Sequence, residues 1–256
     1  MRPVVLCFSG LDPSGGAGLQ ADIESVAALG GLAAVVCTAL TVQDSQRVYG
    51  FEAVAPDLIR RQAEAVLADL PVKAIKLGML GNSAITDVVG GLLAAHPHIP
   101  VVLDPVLVAN SGGSLASDDL AQGLLRLIPR ATVITPNTVE ARRLAETDDL
   151  DLAMARLARL GAAHTLLKGG HEPGDLLLNR LYRGANEIYR SETLRLPGEF
   201  HGSGCTMASA LAASLAAGLE LEAAARQAEA FLANALARAD RPRHQGQFIP
   251  WRIQPS

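Results

Sequence analysis

Residues 3–29, "PVVLCFSGLDPSGGAGLQADIESVAAL", decide the fold class. The opening run, 3–10, is apolar without alternation, as in a strand buried on both faces of a parallel sheet. A glycine-broken turn follows, and 17–29 take up helical periodicity. The same unit recurs outward along the chain. Strands are predicted at 33–43, 72–80, 101–106, 132–137 and 164–170, and helices at 56–70, 82–96, 119–128 and 151–161. Repeated strand–helix alternation gives right-handed crossovers and a mostly parallel central sheet with helices on both faces. Two stretches, 46–56 and the polar, turn-bearing 179–196, break the rhythm and predict small antiparallel additions at a sheet edge. Helices over about 204–217 and 221–239 come next, then a Pro/Arg-rich tail from Asp240 that either packs near the nucleotide pocket or, the favoured reading, merely covers a helix. No repeat, linker or composition break divides the chain, so 1–256 reads as a single domain.

The bulk composition narrows the function classes. With 49% hydrophobic and 19% charged residues the chain is globular. A formal charge of −4 without basic clusters argues against nucleic acid as a partner. Three cysteines, an odd number without CxxC spacing, fit a reducing cytoplasm and predict neither a disulfide framework nor a zinc site. The N-terminal residues enter a strand at once, without signal-peptide architecture. The apolar run Met207–Gly218 is too short to span a bilayer, so no membrane association is expected.

In open α/β sheets ligands gather beyond the carboxyl ends of the strands. The stretches there are 9–18, 41–44, 78–80, 104–113, 135–140, 168–171 and 201–205. They supply glycines, an amide, carboxylates, lysines, a methionine and a thiol, which suits a small polar ring and a phosphorylated cofactor. Neither a GxxxxGK[ST] loop nor a GxGxxG fingerprint is present, so any nucleotide is held by other means. "HGSGC" (201–205) places Cys205 on the first turn of a helix entered through Gly-Ser-Gly. Bare N–H groups there can hold an anion while the thiol handles a proton, or Cys205 is simply a small buried side chain. Asn137 and Glu140 form a capping-box pattern, and a carboxylate at that place can also orient Mg²⁺ through water. Lys168 either reaches a phosphate or is solvated at a strand end. His171 and His201 read as loop histidines without a role in proton transfer.

Seven stretches in order resemble one family: "SGLDPSGGAGLQAD" (9–22), "TALTVQ" (38–43), "KLGML" (76–80), "LDPVLVANSG" (103–112), "TPNTVEA" (135–141), "LKGGH" (167–171) and "HGSGCTMASALAA" (201–213). Together they resemble the hydroxymethylpyrimidine/phosphomethylpyrimidine kinases of thiamine biosynthesis, within the ribokinase-like superfamily. Two departures stand out: Ser203 replaces a common Thr, and "GEFHG" replaces a polar Asn-Thr pair before the histidine.

The resemblance implies a three-layer α/β/α ribokinase-like fold and transfer of the γ-phosphoryl of ATP, with Mg²⁺, to an aminopyrimidine alcohol and then to its monophosphate. It implies an anion hole at Gly202, Ser203, Gly204 and Cys205, with Cys205 as the base and its pKa lowered by the helix start. It implies Gly10, Asp22, Gln43, Met79 and Val106 at the pyrimidine, where Gln43 can both donate and accept. The nucleotide side is implied to hold Asp104, Asn137, Glu140 and Lys168, with Glu140 facing Mg²⁺ through water, and the family implies a homodimer. Without the resemblance, Asp22 is a helix-surface residue, Gln43 a strand end and Met79 core. Two rivals stand beside it: a pyridoxal or pyridoxine kinase of the same superfamily, and a non-catalytic pyrimidine-binding protein.

Overall fold

The computed structural model describes residues 1–107, 119–243 and 246–253. The "VANSGG" part of the strand-end stretch, residues 108–113, lies outside the described residues. The first unit is β1 (Val4–Leu11) followed by α1 (Gly18–Ala28). The chain continues through β2 (Leu32–Gln43), β3 (Val48–Ala53), α2 (Pro56–Asp69), β4 (Val72–Leu77), α3 (Ser83–Ala95) and β5 (Val101–Leu103). Then come α4 (Leu120–Leu127), β6 (Val133–Ile134), α5 (Thr138–Ala145), α6 (Leu150–Arg159) and β7 (His164–Leu167). The hairpin β8 (Leu176–Arg183) and β9 (Asn186–Leu194) precedes α7 (Ser203–Ala216) and α8 (Leu221–Ala237). Among the described residues these strands form one nine-stranded sheet ordered β3-β2-β1-β4-β5-β6-β7-β8-β9. The middle is parallel, and β3, β8 and β9 are antiparallel additions at its two edges.

Alternation along β1 explains the layers. Leu6 and Phe8 join the larger apolar cluster with Ile59 of α2, Ile85 and Val89 of α3, Leu124 of α4, Leu144 of α5 and Leu157 of α6. Val5 and Cys7 point the other way, into a cluster with Val26 of α1, Met207 and Leu211 of α7, and Ala224 and Ala228 of α8. Successive strand side chains face opposite sides, so a continuous apolar run feeds two cores at once. The small residues of α7 let it lie close to the sheet, and most of its length is buried.

Strands of the middle end earlier than their apolar runs predict. β4 stops at Leu77, β5 at Leu103 and β6 at Ile134. Pro105 and Pro136 lack the N–H that a ladder needs. Gly78 leaves the sheet where a Cβ would lie 2.5 Å from both Lys76 Nζ and Ser9 Oγ. The residues freed from pairing become the wall of a cleft.

The tail does more than cover a helix, which corrects the favoured expectation: Gln247 lines the cleft, as the alternative had it. Gln247 N–H donates to Ser45 O, Phe248 N–H to Glu199 O, and Trp251 N–H to Ala235 O, so residues 247–251 run across the open end of the sheet. A backbone with such unpaired donors finds acceptors wherever the chain passes, and here they are two loop carbonyls and one carbonyl of α8.

Candidate active site

The cleft lies past the carboxyl ends of the strands and encloses a cavity of about 580 Å³, within the usual range for small-molecule sites. Its walls bring together Gly10, Gln43, Met79, Val106, Asp104, Asn137, Glu140, Lys168 and the run Gly202, Ser203, Gly204, Cys205. Leu232 and Leu236 of α8 also line it.

At one end, β1, β2 and β4 supply a ring-sized apolar recess. Met79 packs with Ala39, Val48, Phe51 and Val106. Gly10 backs onto this recess, where a Cβ would sit 3.1 Å from Met79 Sδ. Gln43 Nε2 donates to Thr41 Oγ1 at 2.8 Å, and Thr41 Oγ1 donates to Leu11 O at 2.8 Å. One fixed amide beside a polarizable apolar face suits a flat heterocycle with donors and acceptors on its edge.

The start of α7 forms the floor. Gly202 adopts φ +74°, and a Cβ there would collide with Gly16 O. That left-handed turn, which only glycine takes without strain, exposes the first N–H groups of the helix to the cavity. Cys205 sits on this turn, and the Gly18 backbone beside it slightly favours the thiolate. Burial pushes the thiol above its ordinary value; Lys76 opposes this, while Asp104 and Asp22 add to it. The expected lowering of the Cys205 pKa is therefore reversed. A helix terminus offers roughly half an elementary charge that fades within a turn, and here desolvation and two nearby carboxylates outweigh it.

Opposite the helix start, Lys168 Nζ donates to Asp104 Oδ1 at 2.7 Å, and Thr135 Oγ1 donates to the same oxygen at 2.9 Å. A Cβ on Gly204 would approach Lys168 Nζ to 3.2 Å, so the ammonium faces the first turn of α7. Burial works against the Lys168 ammonium, yet Asp104 and Glu140 outweigh it and hold its pKa above the ordinary lysine value. Asn137 and Glu140 make the anticipated capping box: each backbone N–H donates to the other's side-chain oxygen at 2.8 Å. Burial pushes Glu140 up to about 7, against the pull of Lys168 and with Asp104 adding to the rise.

Asp22 is the exception among the expected site residues. It is fully buried below the cleft floor, where its Oδ1 accepts from Lys76 Nζ at 2.8 Å and from Ser209 Oγ at 2.6 Å. It does not line the cavity. A buried ammonium needs a counter-charge, and Asp22 on α1 supplies one to β4. Lys76 itself escaped the sequence reading, although a lysine inside the apolar strand "VKAIKL" signals a buried partner. Burial disfavours its ammonium, but Asp22 and the neighbouring Cys205 and Asp104 raise its pKa well above the ordinary value.

A second missed pair is Asp12 and His201, with Nε2 to Oδ2 at 2.8 Å. Asp12 also accepts the N–H groups of Ser14 and Ala17 at 2.9 and 2.8 Å, which fixes the loop before α1. His171 lines the cavity, and burial, then Lys168 and Arg195, lowers its pKa.

An apolar recess, a helix start opening into the same cavity and a lysine facing it, on a sheet between two helical layers, fit a ribokinase-like small-molecule kinase. A model of the family described as phosphomethylpyrimidine kinase matches residues 12–249, and the chain belongs to that family. It is 41% identical over 245 residues to the hydroxymethylpyrimidine/phosphomethylpyrimidine kinase of Synechococcus elongatus, covering 91% of each chain. It is 38% identical to the thiamine biosynthesis multifunctional protein of Corynebacterium glutamicum over 93% of its own length, but spans only 32% of that longer protein. Among solved structures, the pyridoxal kinase of Staphylococcus aureus in complex with AMP-PCP and pyridoxal superposes with a TM-score of 0.85. It shares 31% identity, with 95% of this chain and 91% of that chain covered.

Proposed function

We propose that the cleft carries out two successive phosphoryl transfers from ATP. The first goes to the primary hydroxyl of 4-amino-5-hydroxymethyl-2-methylpyrimidine, and the second to the resulting monophosphate, within thiamine biosynthesis. The observation that carries this reading is the start of α7, which opens into one cavity between the Gln43–Met79 recess and Lys168. Phosphoryl transfer asks mainly for in-line positioning and charge stabilisation, which these groups offer.

In the first step the hydroxyl oxygen attacks the γ-phosphorus, the bond to the ADP oxygen breaks, and the hydroxyl proton passes to the Cys205 thiolate. The N–H groups of Gly202, Ser203, Gly204 and Cys205 hold the transferring oxygens, and Lys168 neutralises charge beside them. In the second step the nucleophile is a phosphate oxygen that is already ionised near neutral pH, so Cys205 has little proton to accept. Met79 and Val106 seat the ring, and Gln43 reads its edge. Asp22 supports this floor through Lys76. The apolar strip Leu232–Leu236 is suited to the nucleotide base.

The donor set fits Mg²⁺. Glu140 and Asp104 put two carboxylates on the wall, and among the described residues no cluster of three or more His, Cys, Asp or Glu forms a protein cage. An ion that keeps its waters and rests on phosphates needs no more than that. When bound it would offset charge on the phosphates.

A homodimer is the assembly we infer, supported by the exposed Leu40, Val42 and Tyr49 on the β2–β3 ribbon. Sedimentation at micromolar concentration tests it, and a monomer would refute it. A cytoplasmic setting is supported by three free cysteines, Cys7, Cys37 and Cys205. No helix among the described residues is long and apolar enough to cross a membrane.

Similarity to a pyridoxal-bound kinase favours one second reading, phosphorylation of pyridoxal. Mg-ATP turnover on hydroxymethylpyrimidine, its monophosphate and pyridoxal separates the two. A specificity constant for pyridoxal above that for the pyrimidine would move the assignment to the second reading.

A further inference from the structure

Among the described residues the largest fully buried side chain is that of Arg252, in the tail. A guanidinium taken out of water costs several kcal/mol unless its donors find acceptors, so the acceptors identify what the residue is for. Nε donates to Thr206 Oγ1 at 2.8 Å, Nη1 to Glu24 Oε2 at 3.1 Å and to Gly15 O at 3.5 Å, and Nη2 to Gly16 O. Glu24 supplies the counter-charge. The other three acceptors belong to the two pieces that meet at Cys205.

One piece is the loop before α1. It leads into α1 at Gly18, which lines the cavity together with Cys205. The carbonyl and N–H of a peptide unit point opposite ways, so holding Gly16 O on Arg252 turns the Ala17 N–H toward Asp12, where it bonds at 2.8 Å. The other piece is the start of α7. Thr206 Oγ1 passes the contact on by donating to Gly202 O at 2.8 Å, and Gly202 is the glycine that opens the helix. The two backbones touch: a Cβ on Gly202 would strike Gly16 O. His201 and Asp12 tie the same pieces from the opposite side.

We propose that Arg252 is a positioning residue for phosphoryl transfer. Its guanidinium holds the Gly15–Gly16 carbonyls and Thr206 in one fork, and so keeps the loop before α1 in register with the anion-binding start of α7. Several acceptors in a fixed fan suit a planar guanidinium and not the point charge of a lysine. The tail delivers it there through the bonds of Phe248 to Glu199 and of Trp251 to Ala235. This inference rests on the kinase reading above.

The test is kcat and KM for both pyrimidine substrates with wild type, Arg252→Ala and Arg252→Lys, each with and without tens of millimolar guanidinium chloride. Trp251, the single tryptophan, reports by fluorescence whether the tail stays docked. The expected result for Arg252→Ala is a fall in kcat of about 10- to 100-fold, the scale of an ångström-level misplacement. KM for ATP should move much less. Guanidinium should restore kcat in Arg252→Ala severalfold and leave wild type unimproved, an effect that a loss of stability would not show. A wild-type kcat in Arg252→Ala, or a lost kcat that guanidinium does not restore, overturns the inference. Should Arg252→Ala fail to fold, Arg252→Lys decides: a folded enzyme with reduced kcat upholds the fork, and unchanged kcat overturns it. A wild-type protein inert toward both pyrimidines and pyridoxal would instead bring down the kinase reading itself.

Discussion

Replacing Cys205 by alanine should separate the two phosphoryl transfers. A positioned general base is worth about 10²- to 10⁴-fold. Burial, with Asp104 and Asp22 beyond it, keeps the Cys205 thiol protonated at neutral pH, so the wild-type enzyme draws on a minor thiolate population. The loss on hydroxymethylpyrimidine at pH 7 therefore falls near the lower end, about 10²-fold. For the same reason the wild-type rate on that substrate should climb with pH, by up to about tenfold per unit, without levelling off before the ordinary thiol value of 9.0. On the monophosphate, whose second ionisation lies near about pH 6, the alanine variant should lose no more than about threefold, because no hydroxyl proton is moved. The assay is coupled ADP release on each substrate from pH 6.5 to 9 (about the range where the fold is not challenged by acid). Equal losses on the two substrates at every pH, or a wild-type first step that is flat with pH, would refute the assignment of the thiol as base.

Three further outcomes follow from the same geometry. Glu140 is held near 7 in the folded chain against an ordinary 4.5, so the folded state binds the extra proton between those values and stability falls as pH rises through them. Glu140→Gln should flatten that slope, by an amount up to about 3 kcal/mol, when Tm is compared at pH 5 and 8 without nucleotide; an unchanged slope would show that Glu140 is not its source. Lys76→Met should destabilise the protein by about 3–5 kcal/mol in urea unfolding, since it strands the Asp22 carboxylate in the core. The double variant Lys76→Met/Asp22→Asn should recover part of that loss, and failure to do so would mean the pair is not the cause. Gly202→Ala should cut kcat on both substrates by about 10²-fold, because its Cβ meets Gly16 O and its φ is left-handed; wild-type turnover would show that the helix start is free to shift.

Much of this architecture is readable in the chain because it rests on local patterns. The two-sided apolar runs of β1 and β4, the glycine at 202 and the Asn137–Glu140 cap each carry their signal within a few residues. What was not legible depends on distant partners. Asp22 sits on a helix that looks half-polar, and only its Lys76 partner, 54 residues away, turns it into a buried counter-ion. The Cys205 pKa moves the opposite way from expectation because burial by segments distant in the chain outweighs the helix start, with Asp104 at the β5 end and Asp22 on α1 adding to the rise against Lys76. Strand ends were overrun because Pro105, Gly78 and Pro136 release backbone into the cleft while the apolar run continues. Arg252 carries no local signal at all beyond its place in a basic, proline-containing tail.

The bond between Arg252 and Gly16 joins positions 236 residues apart, and this has a consequence during synthesis. At about 5–20 residues per second a ribosome needs roughly 10 to 50 s to pass from one to the other. Over that interval the carbonyls of the Gly15–Gly16 turn lack their guanidinium partner, and by its end the chain holds every strand of the sheet but not this last fastening. A message cut short just before codon 252 would thus yield a polypeptide with almost every strand and helix in place and that fastening missing.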